Sequence, residues 1–341
     1  MGMGVDSRCY RHLRTRHPNH QIAFYDAGHG HFKNVADTRD KEEHSRKRRL
    51  LATGYALTTL LRWEDKVASR INALLNQYDK FCLRLDVARR ADAIPVDHRR
   101  WMDIFTIDAI HDIGLSANLR LIEKGDDVLE VQNSRGQSYQ CQFRKSLWGN
   151  LRVHASFAWA PRCGVLNAGS ETTGIALERL RREVDEALDG IEDTKVAPFA
   201  RIRYLPYLKV CIDEGLRLLP PSATTTPRYT PPSGQDIMGY WIPGNTEVLC
   251  PTYSLQRNPD IFSNPDVFEP ERWLSDNAKD LHTSFLPFSA GPRACIGRNI
   301  TYMEQQMLIA SLVHRYTFEL IAPDFKPAVI FGGVEIMSLD T

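Results

Sequence analysis

Phe285-Leu-Pro-Phe-Ser-Ala-Gly-Pro-Arg-Ala-Cys-Ile-Gly-Arg-Asn299 sets one cysteine, Cys295, between two glycines. Behind it Ile300, Met303, Met307, Ala310, Ser311 and His314 recur at helical spacing. A sulfur just ahead of a helix meets unpaired N–H groups and the positive end of the helix dipole, and both favour a thiolate. Gly291 and Gly297 lack the Cβ that would obstruct a sharp bend or the approach of a flat ligand to the backbone. Arg293 adds a cation just before the sulfur. These residues offer a metal-binding thiolate; a buried cysteine leading into a helix is the plainer reading.

Upstream, Asn167-Ala168-Gly169-Ser170-Glu171-Thr172-Thr173 joins a carboxylate to hydroxyls, a pairing that can hand on protons where water is scarce. The same residues describe an ordinary helix start, a Ser or Thr cap followed by an acidic first turn. Leu177, Leu180, Val184 and Leu188 then share one face, as in a single amphipathic helix. Farther back, Asp37 to Leu51 reads as a basic helix capped by Asp37 or Thr38, with His44 and Arg48 one turn apart on one side. A solvated charged face is its plainer reading. Trp63 to Phe81 and Trp101 to Leu115 carry helical apolar spacing. Residues 1–36 receive no element, 117–165 are weakly patterned, and Glu130 to Trp148 is polar and aperiodic.

Downstream of these, Pro206 opens a helix whose apolar side is Leu208, Cys211, Ile212, Leu216 and Leu219, with Glu214 and Arg217 spaced to pair. Strand and turn signals follow at Thr224 to Arg228, Ile237 to Pro243 and Val248 to Pro251, before Pro270-Glu-Arg-Trp273. Tyr316 to Ile321 alternates like a strand, and Gly332-Gly333 has the form of a hairpin turn.

The 341 residues suffice for a sizeable core, and a formal net charge of +1 gives no global reason to expect nucleic acid. Seven cysteines, an odd number without a CxxC pair, point to a reducing compartment and away from a zinc site. No signal-peptide core opens the sequence, and no run reaches the roughly 18 apolar residues of a spanning helix.

The order Phe288-x-x-Gly291-x-Arg293-x-Cys295-x-Gly297 resembles the haem-binding loop of the cytochrome P450 haem-thiolate monooxygenases. The resemblance runs from about Asp37 to the end, densely after Tyr204. It implies one domain over 1–341, mainly α with small β-sheets (α+β), in the cytochrome P450 fold. It implies haem with Cys295 as axial ligand of the iron, Phe288, Gly291, Arg293 and Gly297 around it, and His44, Arg48 and Arg228 at the propionates. Ala168 and Gly169 would form an oxygen groove, Glu171 and Thr172 a proton relay, and Glu214, Arg217 and Arg272 a structural triad. The implied reaction inserts one atom of O2 into a small organic substrate, an aromatic or a secondary metabolite as in filamentous-fungal members. Its electrons would come from an NADPH-dependent flavin reductase docking on Arg46, Lys47 and Arg49.

Members of this type sit on the cytosolic face of the endoplasmic reticulum. Without a visible anchor this chain is expected in the cytoplasm, with membrane association only if an amino-terminal anchor exists. Against the family pattern the interval before Asn167 is short and material is missing between Leu177 and Glu178. The fold is therefore expected to be incomplete at the amino terminus and around the distal helix. A second reading is a truncated, catalytically inactive haem-binding or misfolded product of the same family. A third, a haem-thiolate isomerase or dehydratase working without a reductase, has no use for a Glu171–Thr172 relay.

Overall fold

The computed structural model describes residues 20–21, 33–87, 96–133, 135–142, 171–191, 195–222, 227–318, 330–331 and 334–335. Helix α1 (Lys41–Ala52) starts at Asp40, whose Oδ1 accepts the Glu43 N–H at 2.7 Å, satisfying one of the orphan donors of the first turn. The caps expected from the sequence lie too early. Asn34 ties that stretch into its own turn, its Oδ1 accepting from the Ala36 and Asp37 N–H groups and its carbonyl from the Thr38 hydroxyl.

Helix α2 (Glu64–Val87) buries Val67, Ile71, Leu74, Leu75 and Tyr78 along one stripe, and helix α3 (His98–Leu115), capped by Asp97 at the Arg100 N–H, packs against it. Both begin or end beyond the apolar residues that announce them.

Helix α4 (Glu171–Leu188) runs without a break through residues 177 and 178, burying Ala176, Leu180, Val184 and Leu188. Helix α5 (Pro206–Leu218) has proline at its start, where no N–H is needed. The Glu183 carboxylate of α4 accepts its Tyr207 and Leu208 N–H groups, both at 2.8 Å. Helix α6 (Arg298–Arg315) is buried on nearly every side and packs against α2, α4 and α5. Arg181 of α4 closes its far end, donating to the Val313 and Tyr316 carbonyls at 3.1 and 2.7 Å. This central helix carries the cysteine loop at its amino end.

The strands are short: β1 (His20–Gln21), β2 (Val128–Gln132), β3 (Ser138–Gln142), β4 (Arg228–Tyr229), β5 (Gln235–Ile237), β6 (Tyr240–Ile242), β7 (Glu247–Val248), β8 (Ile330–Phe331) and β9 (Val334–Glu335). Among the described residues all pairings are antiparallel, in a β1-β4-β7 sheet and the pairs β2–β3, β5–β6 and β8–β9. The fold is mainly helical with small sheets.

Four details differ from the sequence reading. Strand β1 lies in a stretch that received no element. The polar stretch after Glu130 contains the β2–β3 hairpin, whose turn is closed by Asn133 Oδ1 accepting from the Arg135 and Gln137 N–H groups. Strand β7 covers Glu247–Val248 and stops short of Pro251. Residues 316–318 form no strand, and there the Tyr316 hydroxyl donates to Asp79 Oδ1 of α2 at 2.5 Å; residues 319–321 lie outside the described ones. Among the described residues no helix is long and apolar enough to cross a membrane.

Glu214 of α5 is fully buried and fully engaged. It receives Arg217 through two bonds of 2.9 Å, Arg272 Nε at 3.1 Å, the Trp273 indole N–H at 2.9 Å and the Glu269 N–H at 2.9 Å. The guanidinium donors left over are also spent: Arg217 on the Gln256, Pro265 and Val267 carbonyls, Arg272 on the Ser263 carbonyl and on the Glu269 carboxylate at 2.9 Å. Such a buried charge group is tolerable only because its partners are satisfied; removing one partner of a buried pair costs about 3–5 kcal/mol.

A second buried acid, Glu304 on α6, has its carboxyl pushed up to about 8 by burial. An unfolded chain releases this proton near the ordinary value of 4.5, whereas the folded chain keeps it to about pH 8. Its contribution is therefore fully present below about pH 4.5 and is lost progressively up to about pH 8. Urea titrations across this range should show stability falling with pH in the parent and a flatter profile in Glu304→Gln; identical slopes would contradict the burial.

Candidate functional site

The cysteine loop bends at Gly291, whose φ of +75° is left-handed backbone that glycine adopts without strain. The loop closes when the Cys295 N–H donates to the Phe288 carbonyl at 2.8 Å. The Phe288 ring packs at 5.3 Å on Tyr302 of α6, whose hydroxyl donates to buried Asp213 at 2.7 Å, and the Arg298 guanidinium stands 5.8 Å from both rings. Gly297 has no positive φ, so it makes no bend of the kind expected. A Cβ there would meet only ordinary contacts, 3.8 Å from the Cys295 sulfur and 4.0 Å from Tyr55.

Around the sulfur the sequence expectation of a favoured thiolate is reversed. Burial pushes the Cys295 thiol up, and the Gly297 N–H and the Arg48 charge offset this only in part. Cys295 lies ahead of the first residue of α6, Arg298, so the helix dipole acts on it from beyond the first turn. The protein groups alone keep a thiol; a bound metal cation would deprotonate it.

Helix α1 brings His44 and Arg48 to the same side. Arg48 donates through Nη1 to the Ala294 carbonyl at 2.7 Å, next to the cysteine. Arg293 runs the other way, donating to the Thr38 carbonyl at 2.7 Å and the Arg39 carbonyl at 3.3 Å. His44 is 5% exposed, and burial followed by the charges of Arg293, Arg48 and Arg228 drives its pKa down to about 4. Three arginines from α1, β4 and the cysteine loop thus converge on one neutral imidazole. Arg228 also donates to the Pro227 carbonyl at 2.9 Å.

Glu171 and Thr172 occupy the first turn of α4, as the helix-start reading has it. Ala168 and Gly169 lie outside the described residues. The sequence reading missed the Ala294, Thr38 and Arg39 carbonyls, which no pattern could reveal because backbone acceptors carry no residue signature. It also missed Tyr55, which flanks Gly297 and whose carbonyl accepts from Asn299 at 3.4 Å.

The helical body thus carries Cys295 in a loop bent at Gly291, with Arg48 donating to the neighbouring Ala294 carbonyl and Arg293 to the Thr38 carbonyl. Residues 175–334, a little under half of the chain, match the Cytochrome P450 family. The chain is 37% identical over 172 residues to cytochrome P450 monooxygenase penB of Penicillium thymicola, a match covering 46% of this chain and 38% of the relative. It is 26% identical over 393 residues to cytochrome P450 monooxygenase cicH of Emericella nidulans, covering 91% of this chain and 77% of the relative. The corresponding figures for cytochrome P450 monooxygenase ORF9 of Penicillium roqueforti are 24% over 366 residues, 87% and 70%. The chain thus spans well under half of penB and about three quarters of cicH. The cicH alignment is longer than this chain, so that relative carries segments without a counterpart here.

The residues present fit a haem. Cys295 supplies a sulfur donor, and the cationic group around His44 has the charge and the N–H donors to hold two carboxylates. Losing one charge-assisted hydrogen bond costs about 1.5–3 kcal/mol. Arg48→Ala should therefore lose haem to apomyoglobin with an affinity about ten- to a hundredfold weaker than the parent. Unchanged transfer would remove Arg48 from the site.

Proposed function

We propose that the protein is a haem-dependent monooxygenase acting on a small organic substrate, an aromatic or a secondary metabolite, with electrons from an NADPH-dependent flavin reductase. The observation that carries this reading is the joint placement of Cys295 and the guanidinium groups: Arg48 donates to the Ala294 carbonyl next to the cysteine, Arg293 of the same loop donates to the Thr38 carbonyl, and the charges of both act on buried His44. Haem bound there would supply the oxidative chemistry, and Cys295 would hold its iron through sulfur.

The chain's own residues have separate tasks. Arg48, Arg228 and His44 hold the carboxylates; Arg293 anchors the loop to the start of α1. Phe288 fixes the cysteine backbone through its carbonyl. Gly297 donates its N–H to the sulfur. Glu171 and Thr172 are assigned the transfer of protons toward the reacting oxygen. Exposed Arg46 and Arg49 on α1 fit an acidic reductase surface, and their attraction would weaken with salt. We place the reaction in the cytoplasm or at a cytosolic membrane face.

A second reading, a family-derived chain that binds haem without turning substrate over, is favoured by the segments that cicH has and this chain lacks. Thr172→Ala separates the two. In haem-loaded protein supplied with NADPH and reductase, the relay assignment predicts that more NADPH ends as hydrogen peroxide and less as product. Equal peroxide release in parent and variant would remove Thr172 from the reaction.

A further inference from the structure

Two adjacent acids of α5 reach the cysteine loop, each through an aromatic donor on another element. Glu214 accepts from the Trp273 indole N–H at 2.9 Å, and the Trp273 ring packs at 4.9 Å on Phe285, where the loop stretch begins. Asp213 accepts from the Tyr302 hydroxyl of α6 at 2.7 Å, and the Tyr302 ring packs at 5.3 Å on Phe288. Successive residues of a helix point about 100° apart, so one turn of α5 serves two separate supports. Glu214 belongs to the arginine group described above; Asp213 stands outside it.

Asp213 is 1% exposed, and both its oxygens are engaged, Oδ1 by Tyr302 and Oδ2 by the ammonium of Lys209 one turn earlier. The same ammonium stands 4.3 Å from the centre of the Tyr302 ring, and the Arg298 guanidinium 5.8 Å from it. Burial and the Asp213 charge raise the Tyr302 hydroxyl well above the usual tyrosine range, so it stays a donor. The ring is thereby held at its hydroxyl end and across its face.

The backbone beside that ring depends on its surroundings. Ser289, next after Phe288, has a φ of +57°, left-handed backbone that costs a non-glycine residue and persists only where neighbouring structure determines it. The Phe288 carbonyl accepts the Cys295 N–H at 2.8 Å, so a Phe288 that shifts takes with it the acceptor that fixes the cysteine.

We propose that Tyr302, oriented by Asp213, is a positioning residue for Cys295: it walls the Phe288 ring, and Phe288 passes that constraint to the cysteine backbone. Its use to a metal ligand rests on the haem-thiolate reading above. Both residues act through Phe288, and no bond is made or broken.

Four variants of the full chain, supplied with haem, test this by hydrogen exchange and by the absorption of the reduced carbon monoxide complex. Tyr302→Phe keeps the ring and drops the hydroxyl; adding Asp213→Asn to it leaves no buried charge short of a donor; Asp213→Asn alone keeps an acceptor for the hydroxyl. Tyr207→Phe removes a comparable bond, Tyr207 to Glu271 at 2.6 Å, outside this line of contacts. The Cys295 amide is expected to exchange about tenfold faster in Tyr302→Phe and in the double variant, and near the parent rate in the other two. Amides in the middle of α6, such as that of Leu308, keep the parent rate throughout, and a thiolate-type band decays faster in Tyr302→Phe than in Tyr207→Phe. A parent rate at Cys295 in both Tyr302→Phe and the double variant, or an acceleration shared by Tyr207→Phe or by mid-α6, overturns the proposal. Absence of a thiolate-type band in the parent overturns the haem-thiolate reading instead, while the Cys295 amide comparison still decides whether Tyr302 positions that backbone.

Discussion

A buried sulfur cannot hold a charge without help, and this constraint shapes the whole proximal side. Burial raises the Cys295 thiol, and the Gly297 N–H with the Arg48 cation recovers part of the cost. The loop that carries the sulfur is accordingly fixed from several directions: by its own closure on the Phe288 carbonyl, by Arg48 at Ala294, by Arg293 at Thr38, and by the entry into α6. A ligand that must meet a metal at one distance and angle needs a backbone that does not wander.

Two ways of holding charge sit side by side in this molecule. Around Glu214, acid and base are matched inside the protein, its carboxylate receiving Arg217, Arg272 and the Trp273 indole. Around His44 the charges that act are all of one sign. The first arrangement is complete in itself. The second ties its guanidinium groups to backbone carbonyls, Arg48 to Ala294 and Arg293 to Thr38, so the same residue type, arginine, neutralises a buried acid in one place and joins a helix to a loop in the other.

How much of this could be read from the sequence depended on the range of the interaction. Helices α2, α3, α5 and α6 announce themselves through apolar spacing, and the Phe288-to-Gly297 order points to the cysteine loop because its chemistry is local. The His44 and Arg48 pair shows as an i,i+4 spacing. Their joining to Ala294, 246 residues away, does not show, since the acceptor is backbone. The cap of α1 went to Asp40 because Asn34 had already engaged Asp37 and Thr38, a competition between neighbouring polar side chains that no propensity ranks. The β2–β3 hairpin was hidden because its residues are mostly exposed and leave no alternating apolar face. The expected thiolate failed for the opposite reason: burial, a tertiary quantity, outweighed the local field.

The most direct test of the account is the absorption spectrum of haem-supplemented protein, reduced and exposed to carbon monoxide, beside that of Cys295→Ser. Thiolate ligation predicts a strongly red-shifted Soret band in the parent that vanishes in the variant. A band typical of a neutral ligand in the parent, or the same red-shifted band in both, would contradict Cys295 as the axial ligand and with it the central claim.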